Sequence, residues 1–163
     1  MTLHGRLLGF ASSSTHPRPL RMIQGNRQPD DRFRPKDQLY RRCKIEEIID
    51  GHLTGVSLRL DDMSTNWSKY SKPWDVIFDY PGYGIARFRV LDLPTDLPTE
   101  DPPGATVASH SFRPQHRPCQ NNYAHTEIWA FSEGQRKPRV NSNTVKKEFR
   151  QLMSDRSLVL YLP

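Results

Sequence analysis

The stretch Asn121–Phe131, NNYAHTEIWAF, constrains this chain more than any other. Written as a strand it splits by parity, because successive side chains leave a strand on opposite faces. Ala124, Thr126, Ile128 and Ala130 share one face, small and mostly apolar, suited to packing against a second layer. Tyr123, His125, Glu127 and Trp129 share the other. An imidazole and a carboxylate between two aromatics fit the floor of a polar pocket better than a core or an open surface.

The flanking patterns set the expected fold. Leu39–Cys43 reads as a first strand. Ile45, Ile48 and Ile49 recur at helical spacing, with Glu46, Glu47 and Asp50 outside and Gly51 placed to end the helix. Val56, Leu58 and Leu60 alternate with polar residues as in a half-buried strand. Ser71 is a candidate cap for a second helix, with Pro73 and Asp75 in its first turn and Trp74, Ile77 and Phe78 on its buried side. Strands are expected over 84–93, 106–110 and 157–162, and loops over 93–104 and 113–122. Val145, Phe149, Leu152 and Met153 mark a last helix begun at Ser142 or Asn143. The expectation is a compact α+β fold: a mostly antiparallel mixed sheet with about three helices.

Charge divides the chain unevenly. Residues 1–42 hold nine Lys and Arg against three Asp, which accounts for the whole net charge of +6. The remainder is balanced. Residues 1–37 are therefore expected to be a basic, flexible N-terminal arm able to touch nucleic-acid phosphates, and residues 38–163 a single domain. The longest apolar run, Leu158–Leu162, is too short to cross a bilayer, so no membrane partner is expected. Cys43 and Cys119 are far apart in sequence, as in a reduced cytoplasmic protein.

His125 and Glu127, two apart on one strand, project into the same space, where a carboxylate can orient an imidazole or shift its pKa. His110, His116, His125, Glu127 and Cys119 are of zinc-binding type, but their spacing matches no metal motif, and no metal is expected. Cys119 follows Pro118 in a basic loop and reads as an incidental thiol. Gly82-Tyr83-Gly84 is too short for a phosphate loop.

Tyr40-Arg41 at the end of a first strand, a serine at Ser57 or Ser64, and Glu127 within His125-Thr126-Glu127-Ile128 together resemble the outline of ADP-ribosyltransferase toxins, over Leu39–Ile128. The Ser-Thr-Ser triplet of that family is missing, and His125 stands where it has Gln or Glu. The resemblance implies NAD-dependent ADP-ribosyl transfer or NAD cleavage, with NAD as substrate. It implies that Arg41 holds the pyrophosphate, Ser64 binds substrate, and Tyr70, Tyr123 or Trp129 stacks nicotinamide. Glu127 would stabilise the developing ribosyl cation and His125 would position the acceptor. The alternative is a non-enzymatic module that binds nucleic acid or protein, anchored by Trp67, Tyr70 and Trp74 and aided by the basic arm. A metal-independent nuclease using His110, His116 and His125 is a third reading.

Overall fold

The computed structural model describes residues 28–60, 63–99, 104 and 107–163. Most of the segment given above as the basic arm, residues 1–27, lies outside them. The strands are β1 (Gln38–Cys43), β2 (Ile48–Ile49), β3 (His52–Leu53), β4 (Ser64–Trp67), β5 (Gly84–Arg89), β6 (Leu97–Thr99), β7 (Ala108–His116), β8 (His125–Ser132), β9 (Gln135–Lys137) and β10 (Leu158–Tyr161). One sheet runs β10-β5-β1-β4-β8-β7-β6, with β9 pairing beyond β4 on the same side of β8. Every pairing is antiparallel.

The sheet curls into a half-barrel, and its register fixes two faces. Directly opposed residues point the same way. Leu39 opposes both Trp67 and Phe88, Thr65 opposes Thr126, Ile128 opposes Pro114 and Ala130 opposes Phe112. All of these lie on the inner, core-facing side. The one α-helix among the described residues, α1 (Asn143–Arg156), fills the curl with Val145, Phe149 and Met153, all fully buried at four-residue spacing. Phe149 meets Phe112 at 4.4 Å between ring centres. Ser142 caps the helix by accepting the Val145 N–H at 3.2 Å, as its position predicts.

The α+β expectation with about three helices is corrected to a mostly β fold, with a single α-helix among the described residues. The apolar stripe at 45–49 does not form a helix. Ile45–Glu47 makes one 3₁₀ turn, and β2 and β3 then form a hairpin across Asp50-Gly51. Both turn residues have positive φ, 51° and 79°, the geometry for which Asp-Gly is favoured. Ile45 and Ile49 remain more than half exposed, so the helical periodicity had no layer to bury it. The second expected helix is only a 3₁₀ stretch, Pro73–Ile77, begun by the Lys72 N–H donating to Asp75 at 2.6 Å. Trp74, expected to be buried, is 58% exposed and edges against Tyr161.

Two further expectations shift. Val56–Leu60 is not a strand: residues 55–57 turn, exposing Val56 and burying Leu58. The loop expected from Arg113 is the second half of β7, which runs through Pro114. β6 pairs only with Ala108–His110, so at residue 114 the side of β7 away from β8 carries no ladder for the missing N–H to break.

Candidate functional site

Register settles which of the expected site residues meet. Ser64 opposes Glu127 and Asn66 opposes His125, on the outer face of the sheet. Gln115 also opposes Glu127, Arg113 opposes Trp129, and Arg136 on β9 opposes Phe131. The outer face of β8 thus carries His125, Glu127, Trp129 and Phe131 in a row, each half-buried. Parity foretold His125, Glu127 and Trp129 in that row; Tyr123, expected beside them, precedes the strand and is buried. Of the three arginines that reach over it, Arg113 lies on β7, Arg117 just past its end and Arg136 on β9.

Those arginines lie against the rings. The Arg136 guanidinium sits 3.2 Å from the centre of the Trp129 ring, and Arg117 5.5 Å from it. Arg113 is 5.1 Å from the Phe131 ring. The Trp129 indole N–H donates to Glu127 at 2.8 Å, which fixes the ring plane and commits one carboxylate oxygen. His125 Nδ1 lies 2.7 Å from the Arg117 carbonyl, so its N–H donates there. Cation and ring together form a plane of alternating guanidinium and aromatic surface.

Arg41 is not part of this face. It alternates with Leu39 and Cys43 on the inner side of β1, and its guanidinium reaches the mouth of the curl. There it donates to the Ser64 carbonyl at 3.0 Å and to the Ser57 carbonyl. Burial pushes its pKa down from the usual arginine value. Nor do His125 and Glu127 share one pocket. His125 lines a hollow of about 660 Å³ with Arg41, Ser64, Asn66 and Asn122, so the structure does bring Arg41, Ser64 and His125 around one space. Glu127 and Trp129 line a separate one of about 80 Å³ with Arg136 and Leu60.

Tyr70 and Tyr123 lie elsewhere, in a buried aromatic cluster. Tyr70 stacks on His116 at 5.3 Å, and Tyr123 meets both edge-on at 4.7 Å. The centre of the cluster is Asp30. Its carboxylate accepts from the Tyr70 hydroxyl at 2.6 Å, from Arg32 Nε at 2.9 Å and from Lys69. Hydrogen bonds from Arg32, Lys69 and Tyr70 hold the Asp30 carboxyl far below the usual carboxylate range. Burial first, then the Asp30 contact, pushes the Tyr70 hydroxyl up. The Asp30 N–H donates to His116 Nδ1 at 2.9 Å, so the neutral ring carries its proton on Nε2 and donates it to the Tyr123 carbonyl. Burial pulls the His116 pKa down.

No known family model matches the chain, and no curated protein or solved structure resembles it significantly.

The remaining candidates are quickly placed. Among the described residues no three His, Cys, Asp or Glu side chains are arranged to hold a metal ion. Among them, too, no helix is long and apolar enough to cross a membrane. His116 is fully buried and hydrogen-bonded, away from solvent. Cys43 is buried, and burial pushes its thiol up to about 11, where it is a poor nucleophile. Cys119 is exposed, in a tight turn bridged to Asn122.

Proposed function

We propose that the outer face of β7, β8 and β9 binds single-stranded nucleic acid without catalysing a reaction. The carrying observation is the set of guanidinium groups laid over Trp129 and Phe131 on one sheet surface. A stacked guanidinium offers its outer plane to a base and its N–H groups to a phosphate. Two half-buried rings and three arginines match a strand of two or three splayed nucleotides. Glu127 repels phosphates at the centre of the face and keeps one oxygen free to accept from a base amine, which favours base contact there. The arginines of residues 1–27 would add sequence-independent phosphate contacts.

Fluorescence anisotropy with a labelled dT12 strand, a U12 strand and a matching duplex tests this. The single strands are expected to bind at least about tenfold more tightly than the duplex, since base stacking contributes roughly 1–3 kcal/mol per base. Arg113→Ala with Arg136→Ala should lower the slope of log K against log salt by about 2, roughly one per lost phosphate contact. Equal binding of strand and duplex, or an unchanged slope, would overturn the reading.

NAD cleavage keeps one observation in its favour, the register of Ser64 opposite Glu127 on the same face. Against it, Arg41 is committed to two carbonyls, and Glu127 accepts from the Trp129 indole and lies outside the hollow that Arg41, Ser64 and His125 line. That reading requires NAD turnover that disappears in Glu127→Gln.

A further inference from the structure

On the helix side of the molecule a groove of about 1300 Å³ lies between α1 and the loop 44–60. Its cations are Arg41, Lys44, Arg59, Lys146, Lys147 and Arg150, and the single carboxylate among its described lining residues is Glu47. Lys44 has Glu46 3.9 Å away. The other five make no ion pair among the described residues. Two of them are held in place from beneath. The Arg41 guanidinium is fixed by the Ser57 and Ser64 carbonyls, which are neutral acceptors and leave its charge uncompensated. The Arg150 stem crosses Gly55, where a Cβ would come within 3.3 Å of it. Both side chains bury an Nε–H that no group among the described residues accepts. Asn143, the first residue of α1, lies at one end of the groove, so the partial positive charge of the helix start adds to it.

Among the described residues, six cations around one carboxylate repel one another, and desolvation raises the cost for those at the base. An oxyanion carrying several charges removes both penalties at once. The groove follows α1 from Asn143 to Ser154, which suits a chain of phosphates rather than a single ion. We propose that this groove binds a multiply phosphorylated anion, with Arg41 and Arg150 as fixed donors at its base and Arg59, Lys146 and Lys147 as mobile cations at its rim. This site rests on its own residues: Arg41 is on the inner face of the sheet, and none of the arginines stacked on Trp129 or Phe131 lines the groove.

Calorimetric titration of the full chain with tripolyphosphate at low salt tests the proposal. Tripolyphosphate is expected to bind with one-to-one stoichiometry, and more tightly than inorganic phosphate. Arg59→Glu with Lys147→Glu reverses two exposed charges that make no ion pair or hydrogen bond within the described residues, so the fold should persist. It should weaken binding by at least about tenfold, the change that 1.4 kcal/mol produces. Trp129→Ala should leave tripolyphosphate binding unchanged, which separates this site from the sheet face. No binding, equal affinity for inorganic phosphate, or an unaltered double variant would overturn the proposal. Competition by dT12 in the Trp129→Ala background identifies the source of the phosphates. Displacement assigns the groove to a sugar–phosphate backbone, and persistence of tripolyphosphate assigns it to a free oligophosphate.

Discussion

Trp67 and Trp129 occupy opposite faces of the same curled sheet with matching partners. Each indole N–H donates to a carboxylate, Asp37 at 2.9 Å for Trp67 and Glu127 at 2.8 Å for Trp129. Each ring has a cation nearby, Lys69 at 5.0 Å and Arg136 at 3.2 Å. The difference lies in what covers them. Trp67 is fully buried, with Phe33 stacked on it at 4.0 Å and Asp30 neutralising the lysine beside it. Trp129 is half-buried, and cations, not a further apolar layer, lie over it. The same residue types close a core in one place and leave a receptive surface in the other. A compensating carboxylate for the cation and a lid for the ring distinguish the two.

The contrast breaks most visibly at Trp67. Trp67→Ala should cost about 3–5 kcal/mol of unfolding free energy, read from urea denaturation, as for other large aromatics removed from cores. If that variant keeps its stability but loses nucleic-acid binding, the assignment of the two faces is reversed.

Asp30 sharpens the comparison next. Asp30→Asn should cost about 2 kcal/mol, because hydrogen bonds to a charged group are lost or weakened within a largely buried site. The pH dependence has the same origin. His116 is neutral in the fold with a lowered pKa, so the unfolded chain binds more protons below about pH 6.5, and stability falls as pH drops through that range. Asp30 has a depressed pKa. Its contribution is complete above the unfolded carboxylate value near pH 4 and is lost as the pH falls from there toward its folded pKa. Acid titration of Asp30→Asn followed by tryptophan fluorescence should keep the upper transition and lose the lower one.

Trp129→Ala should move stability least, by about 1 kcal/mol, the scale of an exposed cation–π contact. It should nevertheless weaken single-strand binding by roughly 1–3 kcal/mol, the worth of one stacked base. A large drop in stability with intact binding would make Trp129 a second Trp67.

What could be read from the chain follows the same division between local and distant. The β8 pattern and the α1 face are written in residues two or four apart; α1 begins where expected, while β8 starts at His125 rather than Asn121 and leaves Tyr123 outside it. The stripe Ile45, Ile48, Ile49 was equally local but outweighed by Asp50-Gly51, a turn signal that asked for a hairpin. The face of Arg41 depends on which strands flank β1, and parity within one strand cannot reveal that. Asp30 and His116 are separated by 86 residues, and only the folded chain joins them. The arginine cover was hidden for a like reason: Arg113 reads as a loop residue until β7 is seen to run through it to His116, and Arg117 follows directly.

Pro114 bears on the kind of partner this protein can accept. A peptide that adds itself to a sheet needs an uninterrupted file of backbone donors and acceptors along a free border. Beyond His110 the border of β7 lacks a donor at the proline, and at Phe112 the N–H is already taken by the Pro94 carbonyl at 2.8 Å. Strand invasion is thus discouraged along that border, as is edge-to-edge self-association. At that border, recognition is left to the flat of the sheet beside it.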